Sequence, residues 1–191
     1  MSAPAKTSDR KICEAVRNLL EGGGERSLSM QKIASAVGIQ APSLYKRFAG
    51  KSHLLSAAAR GALVEMAELL GNPAGAGKTY ESLERMGHLY RKFAKKNPRT
   101  YALIFSEAMV AREDLLRARQ AAAEPMLALL RPAVGKDAAL NAARMLVSYL
   151  HGFLSMELAR TFRFGGNVNE AFQYGLTKTL DALLEEKAQH G

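Results

Sequence analysis

The chain has 191 residues and carries 27 Lys and Arg against 18 Asp and Glu, a formal charge of +9, with one cysteine and no tryptophan. That surplus points to a polyanionic partner, either nucleic acid or an anionic membrane surface. The lone Cys13 excludes an internal disulfide and fits a reducing compartment. The start, "MSAPAKTSDRK", lacks the apolar core of a signal peptide, and no apolar run approaches the roughly 20 residues of a membrane span, so a soluble cytoplasmic protein with no membrane partner is expected.

The charge is concentrated at one end. Residues 1–60 hold ten Lys/Arg and four Asp/Glu. Between Glu25 and Glu65 there is no carboxylate, while Arg26, Lys32, Lys46, Arg47, Lys51 and Arg60 all fall there.

Periodicity is helical nearly everywhere, with no convincing alternating strand. Ile12, Val16, Leu19 and Leu20 form a first apolar stripe, ended by "EGGGE". Ser29 is a suitable N-cap for a short second helix with Met30, Ile33, Ala34 and Val37 turned inward, and Gly38 terminates it. Leu44 and Phe48 stand one turn apart on a third helix. A longer one follows from Lys51 towards Leu70, and "GNPAGAGKT" is a linker. The second half reads as helices near Thr79–Lys96, Arg99–Met109, Arg112–Ala133 (with a kink expected at Pro125), Asp137–Phe162 and Val168–Glu186. The fold class is therefore all-α, with about nine helices.

Enzyme and cofactor chemistry find little support. "GNPAGAGKT" places Asn72 where a phosphate loop needs its first glycine, and the segment before it is helical rather than a strand. His53, His88, His151 and His190 lack metal-ligand spacing. Cys13 reads as a small hydrophobe of the first helix, and Glu65 with Glu68 as solvated acids on one helix face. No catalytic residue, cofactor or metal is expected.

"SMQKIASAVGIQAPSLYKRF" is different. Its apolar positions, Ile33, Ala34, Val37, Ile39, Leu44 and Phe48, are spaced to pack two short helices across a glycine turn, the plan of a helix-turn-helix. With Leu44 and Phe48 inward, Gln40, Ala41, Pro42, Ser43, Tyr45 and Lys46 remain for the major groove of double-stranded DNA. Pro42 sits in the first turn, where its missing N–H costs nothing, and Lys51 can reach a phosphate. A rival from another class is a basic helical adaptor for anionic lipid or a protein partner. It needs a large apolar face beside the cations, and Lys46 and Arg47 instead adjoin Pro42, Ser43 and Tyr45.

The stretch "LSMQKIASAVGIQAPSLYKRFAGKSHLL" resembles the DNA-binding domain of the tetracycline-repressor (TetR) family, through Ile33-Ala34, Gly38-Ile39, Leu44-Tyr45, Phe48, and Lys51 followed by Leu54-Leu55. The resemblance implies a homodimeric helical repressor that binds a palindromic operator and is released by a small molecule. The DNA-binding domain would span residues 1–56, with ligand binding and dimerisation in 57–191. It also implies that Ser29, Gln40, Pro42, Ser43, Tyr45, Lys46 and Lys51 meet DNA. Gln40 departs from the Ser common at that N-cap. "SYLHGFLSMELA" resembles a subgroup named for a Trp-His-Gly pattern, here Tyr149-Leu150-His151-Gly152, with His151 expected to serve packing or hydrogen bonding.

Two further expectations concern the second half. Leu146, Leu150, Phe153 and Leu154 on one helix, with Ala171, Phe172, Leu176, Leu180 and Leu183 on the last, are expected to pair with a second copy in a four-helix bundle. Gly152 and Gly175 would mark close helix approach. Soft apolar side chains in the middle helices suit a lipophilic or aromatic effector, with Tyr90, Phe105, Met126 and Tyr149 as the expected lining.

Overall fold

The computed structural model describes residues 7–71 and 78–185, and these contain ten α-helices, two 3₁₀ turns and no strand. The linker residues 72–77, which carry the phosphate-loop decoy, and His190 lie outside the described residues. The chain divides into two compact units: residues up to Glu65 with Asn97–Ala118, and Met66–Lys96 with everything from Arg119 onward.

In the first unit, α1 (Asp9–Gly23) begins where the Ser8 side chain accepts the Lys11 N–H, and it buries Ile12, Val16 and Leu20 four residues apart. α2 (Met30–Ala36) starts in the same way, Ser29 Oγ accepting the Lys32 N–H at 3.2 Å. It ends in a left-handed turn. Gly38 sits at φ +70°, its N–H bonds Ser35 O at 3.2 Å, and the Ile39 N–H bonds Ala34 O at 3.0 Å. This paired closure fixes where α3 (Ala41–Tyr45) leaves. α3 packs on α2 and α2 on α1, with Ile33 and Leu44 fully buried and Phe48 nearly so.

α4 (Lys51–Gly71) follows, and Leu54, Ala58, Ala59 and Ala62 are buried along its first turns. α6 (Pro98–Ile104) packs on α1 through a reciprocal exchange at their ends. Glu21 accepts the Arg99 N–H at 3.1 Å and the Thr100 N–H at 2.7 Å, satisfying donors of the first turn of α6. Arg99 in turn donates to the Leu20 and Glu21 carbonyls that end α1. Each charge faces the helix end of opposite sign.

The expected single helix over Arg99–Met109 is two. Ser106 is extended (ψ 147°) and donates to Leu103 O at 2.8 Å, which closes α6 and opens α7 (Glu107–Val110). Glu113–Leu115 is a 3₁₀ turn, so α8 (Leu116–Val134) starts later than expected, and it holds Pro125 and Pro132. Within that turn Asp114 accepts from Ser56 Oγ of α4 at 2.8 Å and from Arg112. The Arg112 hydrogen bond, then that from Ser56, lowers the Asp114 carboxyl pKa to about 2.

In the second unit α5 (Thr79–Lys96), α9 (Ala139–Leu158) and α10 (Val168–Glu185) pack against one another. α9 ends before the expected Phe162, because Arg160 adopts φ +56° and the Thr161 N–H turns back to Met156 O at 3.1 Å. Most of the side chains expected to face a second copy are instead buried within the chain. Leu146, Leu150, Leu154, Phe172, Leu176 and Leu180 are fully buried within the chain. Leu176 lies against Gly87 of α5, where a Cβ would meet its Cδ2 at 2.8 Å. These side chains are used in packing α9 and α10 on α5. The apolar residues that α9 and α10 leave about half exposed are others, Leu140, Met145, Met156 and Tyr174.

Candidate nucleic-acid interface

α3 is amphipathic over five residues. Leu44 is fully buried, while Gln40, Pro42, Ser43, Tyr45 and Lys46 are exposed and Ala41 is half-buried. Tyr45 is 56% exposed, a large aromatic side chain held out into water by a helix that buries its neighbour. An exposed ring beside a cation and small polar groups is suited to base edges and thymine methyls in a groove about 12 Å wide. Gln40 makes no side-chain cap bond, so its amide is not committed to the first turn of α3. Ser29, by contrast, spends a lone pair on capping α2 and keeps its O–H to donate.

The cations around α3 divide into two kinds. The side chain of Lys51 is held, its Nζ donating to Glu25 O at 2.8 Å and lying 3.5 Å from Glu25 Oε1. Arg47 is also held, donating to Thr7 O at 2.5 Å and to the Asp9 carboxylate, which ties the end of the α3 segment to the entry of α1. The sequence gives no sign of this clamp, since Arg47 reads there as one more basic residue of the run. Among the described residues Lys46 has no such partner.

Of the four residues expected to line an effector pocket, one lies in the first unit and three in the second. Phe105 belongs to the first unit, where it packs on Tyr101 at 5.0 Å between centroids. Tyr90 and Met126 are buried in the second unit. Tyr149 donates to Phe172 O at 2.6 Å, and burial pushes its phenol up to about 12. A cleft of about 520 Å³ does exist in the second unit, lined by Leu70, Gly71, Met86, Ala121, Pro125 and Leu129, with Glu124 and Ala128. It holds none of those four. Its signal in the sequence was the row of small side chains Ala121, Pro125 and Ala128 on one face of α8, which leaves room where larger residues would fill. His151 is desolvated, which pushes its imidazole down, and lies 3.5 Å from Ser155 Oγ.

Two short helices, the first capped by Ser29, that meet across a left-handed glycine turn, with an exposed polar and cationic second helix, define a helix-turn-helix protein. Comparison with known proteins agrees. Residues 12–58 match the bacterial regulatory proteins of the tetR family, and residues 83–179 match the tetracyclin repressor-like C-terminal domain. The chain belongs to the tetR family and is a transcriptional regulator of that type. It is 28% identical over 195 residues to the uncharacterized HTH-type transcriptional regulator Rv0681 of Mycobacterium tuberculosis, an alignment spanning 100% of this chain and 88% of that protein. A solved structure of a protein of unknown function from Rhodococcus sp. RHA1 shares the fold with a TM-score of 0.81 at 18% identity, covering 96% of this chain and all of that one. The structure of a single-residue variant of TetR from Acinetobacter baumannii, in complex with minocycline, gives 0.73 at 20% identity, covering 97% of this chain and all of that one. No helix among the described residues is long and apolar enough to cross a membrane.

Proposed function

We propose that this regulator is a cytoplasmic repressor that binds a palindromic operator in double-stranded DNA as a homodimer and is released by a lipophilic or aromatic effector. The observation that carries the DNA reading is the exposed face of α3. Gln40, Ala41, Pro42, Ser43, Tyr45 and Lys46 read bases or set register, while Ser29 and Lys51 meet phosphates. Residues 1–56 act as the DNA-binding domain and 57–191 as the ligand-binding and dimerisation domain. One α3 presents few base-reading side chains, so selectivity needs two copies on two half-sites. The exposed side of α9 and α10, with Met145, Met156 and Tyr174, is the surface for the second copy.

The effector occupies the cleft at Leu70, Met86 and Pro125. Support comes from its apolar walls and from a volume within the range of small-molecule sites, with the rim carboxylate Glu124 already paired to Arg131 at 2.5 Å. The end of α4 contributes Leu70 and Gly71 to that wall, and its start carries Lys51. A ligand that favours another position of this helix must weaken DNA binding by the same coupling factor that DNA imposes on the ligand. The likeness to the Trp-His-Gly subgroup, through Tyr149, His151 and Gly152, belongs to this reading as well.

A gel shift of the purified protein on the DNA upstream of its own gene, against random duplex at matched salt, tests it. Selective retardation that lipophilic compounds reverse is expected. Equal binding to both duplexes, or retention on anionic vesicles instead, overturns the reading.

A further inference from the structure

The second unit has another concavity, of about 300 Å³, lined by four side chains of α5: His88, Arg91, Lys92 and Lys95. Their spacing of three, one and three residues puts all four on one helix face. A basic row on a surface helix ordinarily lies in water and repels itself. Two features set this one apart.

The first is that Arg91 is fixed. Its side chain is only 10% exposed, and its guanidinium carbon sits 4.5 Å from the Phe172 ring centroid. It donates to both oxygens of Glu157, at 2.9 and 2.6 Å, and to Asn169 Oδ1 at 2.9 Å. Cation–π contact and a bidentate carboxylate hold it in one orientation.

The second is that the charges do not balance. Glu157 Oε1 receives both Arg91 Nη2 at 2.6 Å and Lys95 Nζ at 3.1 Å, so one carboxylate serves two cations. Lys92 is exposed and has no ion-pair partner among the described residues. His88 Nε2 is 2.9 Å from Gln173 Oε1. Opposite α5 the groups that face this row are Glu157, Asn169 and Gln173, only one of them an acid. Glu84 of the same helix accepts from Gln173 Nε2 at 2.5 Å, so three cations meet two acids and one positive charge remains uncompensated in a concave site.

We propose that this cleft binds the oxyanion of a small ligand, a carboxylate or a phosphate group, with Lys92 and Lys95 as its charge partners beside the fixed Arg91. Lys95 is half exposed and can turn from Glu157 to the ligand, because Arg91 keeps that buried carboxylate paired. The volume lies at the small end for ligand clefts, which suits an anionic headgroup. The site uses no residue of the DNA-binding unit and none of the apolar cleft at Pro125.

The test is thermal unfolding of the full chain in inorganic phosphate and, separately, in benzoate, each against chloride at matched ionic strength. At several times the dissociation constant, at least one anion raises the midpoint of the wild type by about 2–4 °C. A larger rise with phosphate assigns a phosphate group, and a larger rise with benzoate a carboxylate. The rise disappears in Lys92→Gln/Lys95→Gln and persists in Lys51→Gln. No rise with either anion, a rise that survives in the double variant, or one abolished by Lys51→Gln would overturn the proposal. The last outcome would place the anion on the DNA-facing surface and leave the regulator reading intact.

Discussion

Tyr149 on α9 donates a hydrogen bond to the Phe172 carbonyl of α10 at 2.6 Å, and its ring lies so close to Gly175 that a Cβ there would sit 2.5 Å from it. The phenol reaches its acceptor only because residue 175 has no side chain. Gly152, one turn along α9 from Tyr149, has nothing within 4 Å of its own Cβ position. The two glycines look alike in sequence and should respond in opposite ways. Gly175→Ala is expected to destabilise by about 1–3 kcal/mol through overpacking, while Gly152→Ala is neutral or stabilises by up to about 1 kcal/mol through helix propensity. Denaturant midpoints of the two variants decide it. Equal effects would show that α9 and α10 approach elsewhere.

The same phenol gives a pH dependence. Burial raises the Tyr149 pKa to about 12, above its ordinary value, so its contribution to stability is complete below about pH 10. It is lost as pH rises from about 10 to 12, where the unfolded chain has released a proton that the folded chain still holds. Tyr149→Phe should therefore lose less stability than wild type across that interval, measured by urea unfolding at successive pH values. A parallel decline in both proteins would count against the buried phenol.

The exchange of charges between α1 and α6 should behave as one unit. Glu21→Ala leaves the Arg99 and Thr100 N–H groups without their carboxylate, and Arg99→Ala uncovers the carbonyls that end α1. Each is expected to cost about 0.5–2 kcal/mol, as lost helix caps do. The double variant should cost less than the sum, with a coupling of at least about 0.5 kcal/mol. Strict additivity would mean that the two caps act separately.

On DNA, Tyr45→Ala is expected to leave folding unchanged, because the ring is exposed, and to weaken operator binding by about 1–3 kcal/mol. Lys51→Ala should weaken all sequences alike and flatten the salt slope. The hold of Glu25 on Lys51 adds a third variant. Glu25→Gln removes a carboxylate that competes with phosphate, and should tighten non-specific binding at low salt by about 0.2–1 kcal/mol. Unchanged operator affinity in Tyr45→Ala would mean that α3 is not the reading helix.

For self-association, Met145→Glu and Met156→Glu place charges on the exposed side of α9 and should yield a folded monomer in sedimentation. Leu176→Asp, buried against Gly87, is expected to lose the fold instead, by about 3 kcal/mol or more. A dimer that persists in both Met variants moves the interface away from this face.

What the sequence by itself determined is local. Ser29 as a cap, Gly38 as a left-handed terminator, and Leu44 and Phe48 as the buried pair of α3 follow from backbone chemistry that acts within a few residues. The helix-turn-helix and the exposed face of Tyr45 and Lys46 were therefore legible, as was the span of α5 to the residue. The break at Ser106 was not, because a serine suits both a helix interior and a cap, and only its bond to Leu103 O selects the second. Tertiary structure alone decided how the apolar stripes were used. Leu176 and its neighbours are equally apolar whether they face a second copy or α5, and Gly87 on α5 is what makes the intrachain contact fit. The same holds for charge. Arg47, Lys51, Arg91 and Lys92 are equivalent as letters, and they become clamp, held cation, fixed post and free charge only through partners distant in the chain, at Asp9, Glu25 and Glu157. Periodicity records that a side chain is buried or paired, whereas its partner is set by the packing of helices far apart in sequence.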